Sequence, residues 1–203
     1  MYRLRSFACA LILTLTVTVM VSASASASVY LVETMEALIG EEFETLSEQS
    51  SNAVLRSVGA NVEVVCNTTK DEGTIGPGGK STTRVSFTGC AVNKPNATCK
   101  VVEPIKVEAT DQLVLVGGRI LDEFKPKMGN RFVQLKFLTC VLEEIEVEGT
   151  ARAFITPENE LRLKLKFSFS ATSGSNLTVG GNAASFTLTE DVWLENDDNW
   201  GVR

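Results

Sequence analysis

The chain has 203 residues, with 19 Lys and Arg against 25 Asp and Glu and no histidine, for a formal charge of −6. Without histidine, Ser-His-Asp and Cys-His schemes lose their base, and zinc, copper and non-haem iron sites lose their commonest ligand. The acidic balance disfavours nucleic acid and anionic membranes, which need clustered Lys and Arg; what stays open is carboxylate or calcium chemistry.

Residues 1–27 read as an export signal. Arg3 and Arg5 supply a positive start, Ala8 to Val21 is an uncharged apolar run, and alternating Ser and Ala at Ser22 to Ser28 offer cleavage after Ala23, Ala25 or Ala27. The run is short for a spanning helix and rich in Thr, so no membrane span is expected after cleavage. The mature protein is then secreted or held in the cell envelope, with a charge of −8 once Arg3 and Arg5 are gone. About 175 residues remain, enough for one domain with a core.

Residues 28–53 form an acidic N-terminal segment. Met35, Leu38, Ile39, Phe43 and Leu46 recur near helical spacing among five glutamates, which predicts one short helix. From residue 54 to 203 the texture is β. Val62 to Cys66, Thr83 to Thr88, Lys100 to Glu108 and Arg131 to Cys140 alternate, and Leu113 to Val116 ends at Gly117-Gly118. Many short strands between Gly, Pro, Asn and Asp turns predict an all-β, antiparallel sandwich or barrel-like domain.

Cys66, Cys90, Cys99 and Cys140 remain in the mature chain, an even number that reads as two disulfides in an exported protein. Cys90–Cys99 would pin the loop containing Pro95 and leave Cys66–Cys140. None of the four has close C-x2-4-C spacing, which argues against zinc.

A hairpin is predicted from Val141 to Ser170. Ile145, Val147, Ala151, Ala153 and Ile155 share one face of its first strand, and Leu161, Leu163, Leu165, Phe167 and Phe169 one face of its second. A three-residue loop at Pro157-Glu158-Asn159 would pair Ile155 with Leu161 and Ala153 with Leu163. That register sets Arg152 opposite Lys164 and lets Glu148 reach Lys166. The final strand runs from Ala184 to Leu194, with Ala184, Phe186, Leu188 and Val192 facing the core.

Two stretches carry a family likeness. Leu55 to Cys66, leading to a Gly-Pro turn at Gly76-Pro77, and Val85-Ser86-Phe87-Thr88-Gly89-Cys90, with Cys99 soon after, resemble a group of uncharacterised secreted proteins of actinobacteria. The resemblance implies export and β structure. It brings no activity with it.

Five features are candidate sites. Gly78-Gly79-Lys80-Ser81 hints at a phosphate loop, but the first glycine is misplaced and a strand follows instead of a helix. Glu143, Glu144, Glu146 and Glu148 crowd one strand at separations near those of glycosidase carboxylates; the plain reading is a solvated face opposed by Arg162, Lys164 and Lys166. Asp191, Glu195, Asp197, Asp198 and Asn199 offer oxygen ligands but do not fit an EF-hand loop. Trp193 shares a polar face with Ser185, Thr187 and Thr189, where it could stack on a sugar or dock a partner. Trp200 reads as a clasp for the C-terminus. Asn67, Asn96 and Asn176 begin acceptor triplets for glycosylation and mark surface positions.

The sequence therefore predicts a non-catalytic envelope or extracellular module, with Trp193 as the candidate ligand contact and a cell-surface glycan or envelope protein as partner. No catalytic residue, metal site or cofactor is assigned. The rivals are a carboxylate-based polysaccharide hydrolase and an inhibitor that projects the Cys90–Cys99 loop.

Overall fold

The structure is a computed structural model that describes residues 28–33, 35–36 and 41–203; the predicted export signal and part of the predicted helix lie outside the described residues. Among the described residues fifteen strands run in chain order: β1 (Tyr30–Val32), β2 (Met35–Glu36), β3 (Phe43–Gln49), β4 (Ala53–Ser57), β5 (Val62–Ile75), β6 (Lys80–Lys94), β7 (Lys100–Val101), β8 (Ile105–Val116), β9 (Arg119–Pro126), β10 (Arg131–Leu138), β11 (Glu144–Thr156), β12 (Leu165–Phe169), β13 (Asn176–Val179), β14 (Asn182–Leu194) and β15 (Trp200–Val202). The all-β expectation holds, and every ladder is antiparallel.

The ladders close into an up-and-down barrel of eight staves. β5, β6, β11 and β14 are long, unbroken staves. The other four are each interrupted once: β3 continues as β4, β7 as β8, β9 as β10, and β12 as β13. The registers show this directly. β14 pairs Glu190 to Leu194 with β3 and Ser185 to Thr187 with β4. β11 pairs Ala151 to Phe154 with β9 and Glu144 to Glu148 with β10. Breaking a stave lets a strand bend and keeps a small barrel round. β11 changes partners at Gly149, where φ is 108° and a Cβ would collide with the Asn176 carbonyl. On β6, Gly89 has φ 62° and a Cβ would collide with the Asn67 amide. These are positions only glycine fills without strain.

The core is the barrel lumen. Val62, Val64, Leu113, Ala153, Ile155, Leu165, Leu188 and Leu194 are buried there in one contiguous cluster. A separate three-stranded sheet, β15-β1-β2, crosses one end. Trp200 is fully buried in it and stacks on Phe167 at 6.2 Å, with Tyr30 on its other side at the same distance. Trp200 is thus the C-terminal clasp expected of it, pinned to β1 on one side and bridged to Arg162 on the other.

Several expectations are corrected. Among the described residues the acidic segment holds no α-helix: Phe43–Gln49 is β3, a barrel strand paired with β14 and β5. Its apolar spacing satisfies a helix locally, but closing the ring requires a stave between β14 and β5. β3 and β4 both pair with β14 and β5, so Phe43 to Ser57 make one stave.

The disulfides are Cys66–Cys90 and Cys99–Cys140. Register decides this: β5 and β6 are hairpin neighbours and place Cys66 directly opposite Cys90. Cys99 precedes β7, Cys140 follows β10, and those strands pair, so the second bridge ties the ends of one short ladder. With sequence separations of 24 and 41, replacing either pair by serine is expected to cost about 3–4 kcal/mol in the chain-entropy view. Denaturant unfolding of each double Cys→Ser variant checks this; a loss under about 1 kcal/mol would contradict it.

The β11–β12 hairpin keeps its two strands and changes its register. Ile155 pairs with Phe167 and Ala153 with Phe169, so the connection runs from Pro157 to Lys164. Apolar faces still meet, because the slip is an even number of residues. Leu165 is fully buried, but Leu163 is 55% exposed. Arg152 escapes Lys164 and binds Glu123 on β9 through two hydrogen bonds of 2.6 and 2.8 Å. Lys166 faces Asp191, not Glu148.

Candidate functional site

The barrel lumen holds a partly open apolar cavity of about 120 Å³. Its wall comes from inward positions of the staves: Leu55, Val85, Val107, Leu135, Val147 and Leu188 among the aliphatics, and five phenylalanines. Val85, Phe87, Val107 and Phe132 keep partial exposure although they face inward, as expected of side chains bordering a void. Toward the capped end the lumen turns polar. A second chamber of about 30 Å³ lies between the cavity and the cap, lined by Tyr30, Ser81, Asp111, Asp122 and Trp200. Asp71 and Glu190 border both spaces.

Four carboxyl groups therefore sit inside one barrel: Asp71 on β5, Asp111 on β8, Asp122 on β9 and Glu190 on β14. Strand parity puts them there. Glu190 alternates with Leu188 and Val192, Asp111 with Ala109 and Leu113, and Asp122 with Ile120 and Phe124. Asp111, Asp122 and Glu190 are buried, at 5%, 2% and 3% exposure. Asp71 is less enclosed as a residue, but its Oδ1 is shut off from solvent.

None of the ion pairs among the described residues reaches these four groups. Hydroxyls serve three of them, and backbone amides at Glu72 and Glu123 serve Asp71 and Asp122. Thr83 Oγ1 donates to Asp111 at 2.5 Å, Ser47 Oγ to Glu190 at 3.1 Å, and Tyr30 Oη to Asp122 at 3.2 Å. Asp71 Oδ1, Asp111 Oδ1 and Asp122 Oδ1 have no hydrogen-bond partner. Burial pushes all four acids up. Glu190 rises to about 7 and Asp111 to about 6. Asp71 and Asp122 rise well above the usual carboxylate range, through burial first and then through the neighbouring acids. The Tyr30 phenol is raised as well, by burial and then by Asp122.

Inward acids without cations cost stability. An aliphatic residue at position 190 would pack like Leu188 and Val192. Sequences retain such costs where a site needs them, which marks this layer as the candidate functional site. It can hold protons, donate hydrogen bonds when neutral, and attract a cation when ionised. It is not a ready metal centre: among the described residues no group of three or more His, Cys, Asp or Glu is placed to hold a metal ion.

The residues singled out in the sequence lie elsewhere. Trp193 does fall on the outer face of β14, half-buried, with Lys164 Nζ 4.2 Å from its ring centroid. Lys164 thus covers one of the faces a sugar would stack on. Glu144 and Glu146 lie on the outside, paired with Lys136 and Arg131 of β10 at 3.3 and 2.6 Å and not with the basic face of β12. Gly78 and Gly79 end a single 3₁₀ turn, Pro77–Gly79, between β5 and β6, and a strand follows it. Glu195 and Asn196 form the turn after β14, closed by a bond from Asp197 N to the Leu194 carbonyl, and Asn196 bonds Asp198. Asn67, Asn96 and Asn176 are exposed.

The four acids had a readable signal. Glu190 occupies the same parity as the four residues of the last strand assigned to the core, and a charged residue in such a place is informative by itself. No protein family model, curated protein or solved structure matches the chain.

Proposed function

We propose that the protein is an exported, non-catalytic binding module that takes a small apolar molecule into its barrel lumen. The observation that carries this reading is the 120 Å³ apolar cavity inside a closed ring of strands. An eight-stranded barrel is just wide enough to be filled by side chains or to hold one small ligand; here part of the filling is missing. An apolar cavity of roughly 150 Å³ accepts benzene, which sets the ligand's scale. Two disulfides accord with an oxidising, extracellular setting.

The same dimensions speak for binding over polysaccharide hydrolysis. Four acids with raised pKa values lie inside the barrel, where a glycan chain does not fit, while Glu195 is exposed and is raised by its neighbour Glu44. The outer glutamates face solvent beside Lys and Arg. Ligand contact accordingly moves from Trp193 to the lumen.

Toluene is a suitable probe. At about a hundred times its Kd it should add ~2.7 kcal/mol to stability, seen as a rise in the thermal midpoint. Val107→Phe should fill the void, leave the fold intact and abolish the rise. An unchanged midpoint for the parent protein at saturating toluene would refute the proposal.

A further inference from the structure

We infer that the ligand of the lumen is a small organic ammonium ion, its apolar body in the cavity and its charged nitrogen against Asp71 and Glu190. This rests on the lumen-binding reading above and names the ligand's chemistry.

Asp71 and Glu190 line both the apolar cavity and the polar chamber. An occupant of the cavity therefore meets carboxylates at one end and hydrocarbon elsewhere. Three of the carboxyl oxygens lack donors. Asp111 and Asp122 are more than nine-tenths buried and line the polar chamber, and each has an unpartnered Oδ1; Asp71 Oδ1 is also unpartnered. An ionised carboxylate only accepts hydrogen bonds, and an ammonium group only donates them, up to three. Charge-assisted bonds between them are among the strongest available. A cation delivered by the ligand would supply the counter-charge that the protein itself does not place there.

The apolar wall is suited to the same charge. Phe87, Phe124, Phe132, Phe169 and Phe186 border the cavity. Four of them form a connected chain of rings, with Phe87–Phe186 at 6.0 Å, Phe169–Phe186 at 5.3 Å and Phe124–Phe169 at 5.1 Å. Aromatic walls attract organic cations through their ring faces. A bare metal ion suits this site less well, since the acids stand on four different staves and do not form a metal-binding group. A neutral hydrocarbon would leave the carboxylate oxygens unsatisfied.

The test compares toluene, benzyl alcohol and benzylamine, which share a ring and differ in the terminal group, by calorimetric titration near pH 8, where Glu190 and Asp111 ionise. Benzylamine should bind at least tenfold more tightly than toluene. The double variant Asp71→Asn, Glu190→Gln should lose that preference and still bind toluene within about twofold, which also reports that the barrel is folded. Toluene binding as well as or better than benzylamine would overturn the ammonium assignment and leave the lumen-binding proposal standing. Binding of none of the three would overturn both. A preference that survives in the double variant would also overturn the assignment, because the nitrogen would then sit elsewhere.

Discussion

Trp200→Ala is expected to lower stability by about 3–5 kcal/mol, the range for truncating a fully buried large aromatic side chain. Trp200 has no exposed surface, stacks on Phe167, contacts Tyr30 and holds β15 against β1. Its ring also lines the polar chamber together with Tyr30. The loss is therefore more than a packing defect: it thins the cap and opens a path for water to the carboxylates. Hydrated acids ionise more easily, so the same variant should titrate its buried acids at lower pH than the parent. Urea unfolding gives the first number, and pH titration of carboxyl resonances gives the second. A cost below about 1 kcal/mol would mean that the cap is not docked as described. A normal cost with unmoved titrations would mean that the cap does not keep water from the acids.

The second large effect is a loss of stability with rising pH. Glu190 moves from its ordinary 4.5 to about 7, and Asp111 from 3.8 to about 6. Both hold protons more tightly in the folded state than in the unfolded chain. Their contribution is fully present below the unfolded values near pH 4 and is lost as pH climbs through the folded values. Asp71 and Asp122 shift in the same direction and extend the decline to higher pH. Tyr30, the other titratable group in the chamber, is raised too and stays neutral through this range. For Glu190 alone the shift corresponds to about 3 kcal/mol. Glu190→Gln removes the ionisation and keeps a hydrogen-bonding side chain. The variant should be about 2–3 kcal/mol more stable than the parent near pH 8 and close to it near pH 4. Denaturant midpoints across that window check the sign. Stability rising with pH between 4 and 7 would show that the acids are paired with charges, contrary to the geometry.

Both effects converge on one layer of the barrel, which explains why the sequence disclosed the walls more readily than the contents. Alternation located β5, β6, β8, β10, β11 and β14, because each buries one face and each face repeats every second residue. β3 escaped because Met35 to Leu46 also satisfies a helical spacing, and because its place between β14 and β5 is a property of ring closure. The β11–β12 register escaped because Leu161 and Leu163 fit the apolar face as well as Phe167 and Phe169 do; the cap, through Trp200 and Arg162, takes up the intervening residues. Cysteine pairing followed from neighbouring strands and not from the shortest loop. Asp111, Asp122 and Glu190 were legible as charges on apolar faces, though nothing in the linear order shows four staves bringing them to the same depth. Their cost to the fold becomes visible only when the barrel is closed around them.

The most direct measurement is a methyl-resolved NMR titration of the oxidised protein with toluene. Saturable shifts should appear at Leu55, Val85, Val107 and Leu188, which border the lumen cavity, and should be absent at the exposed Val58, Leu115 and Val141. Shifts confined to the exposed methyls, or none that saturate, would contradict a barrel that carries its ligand inside.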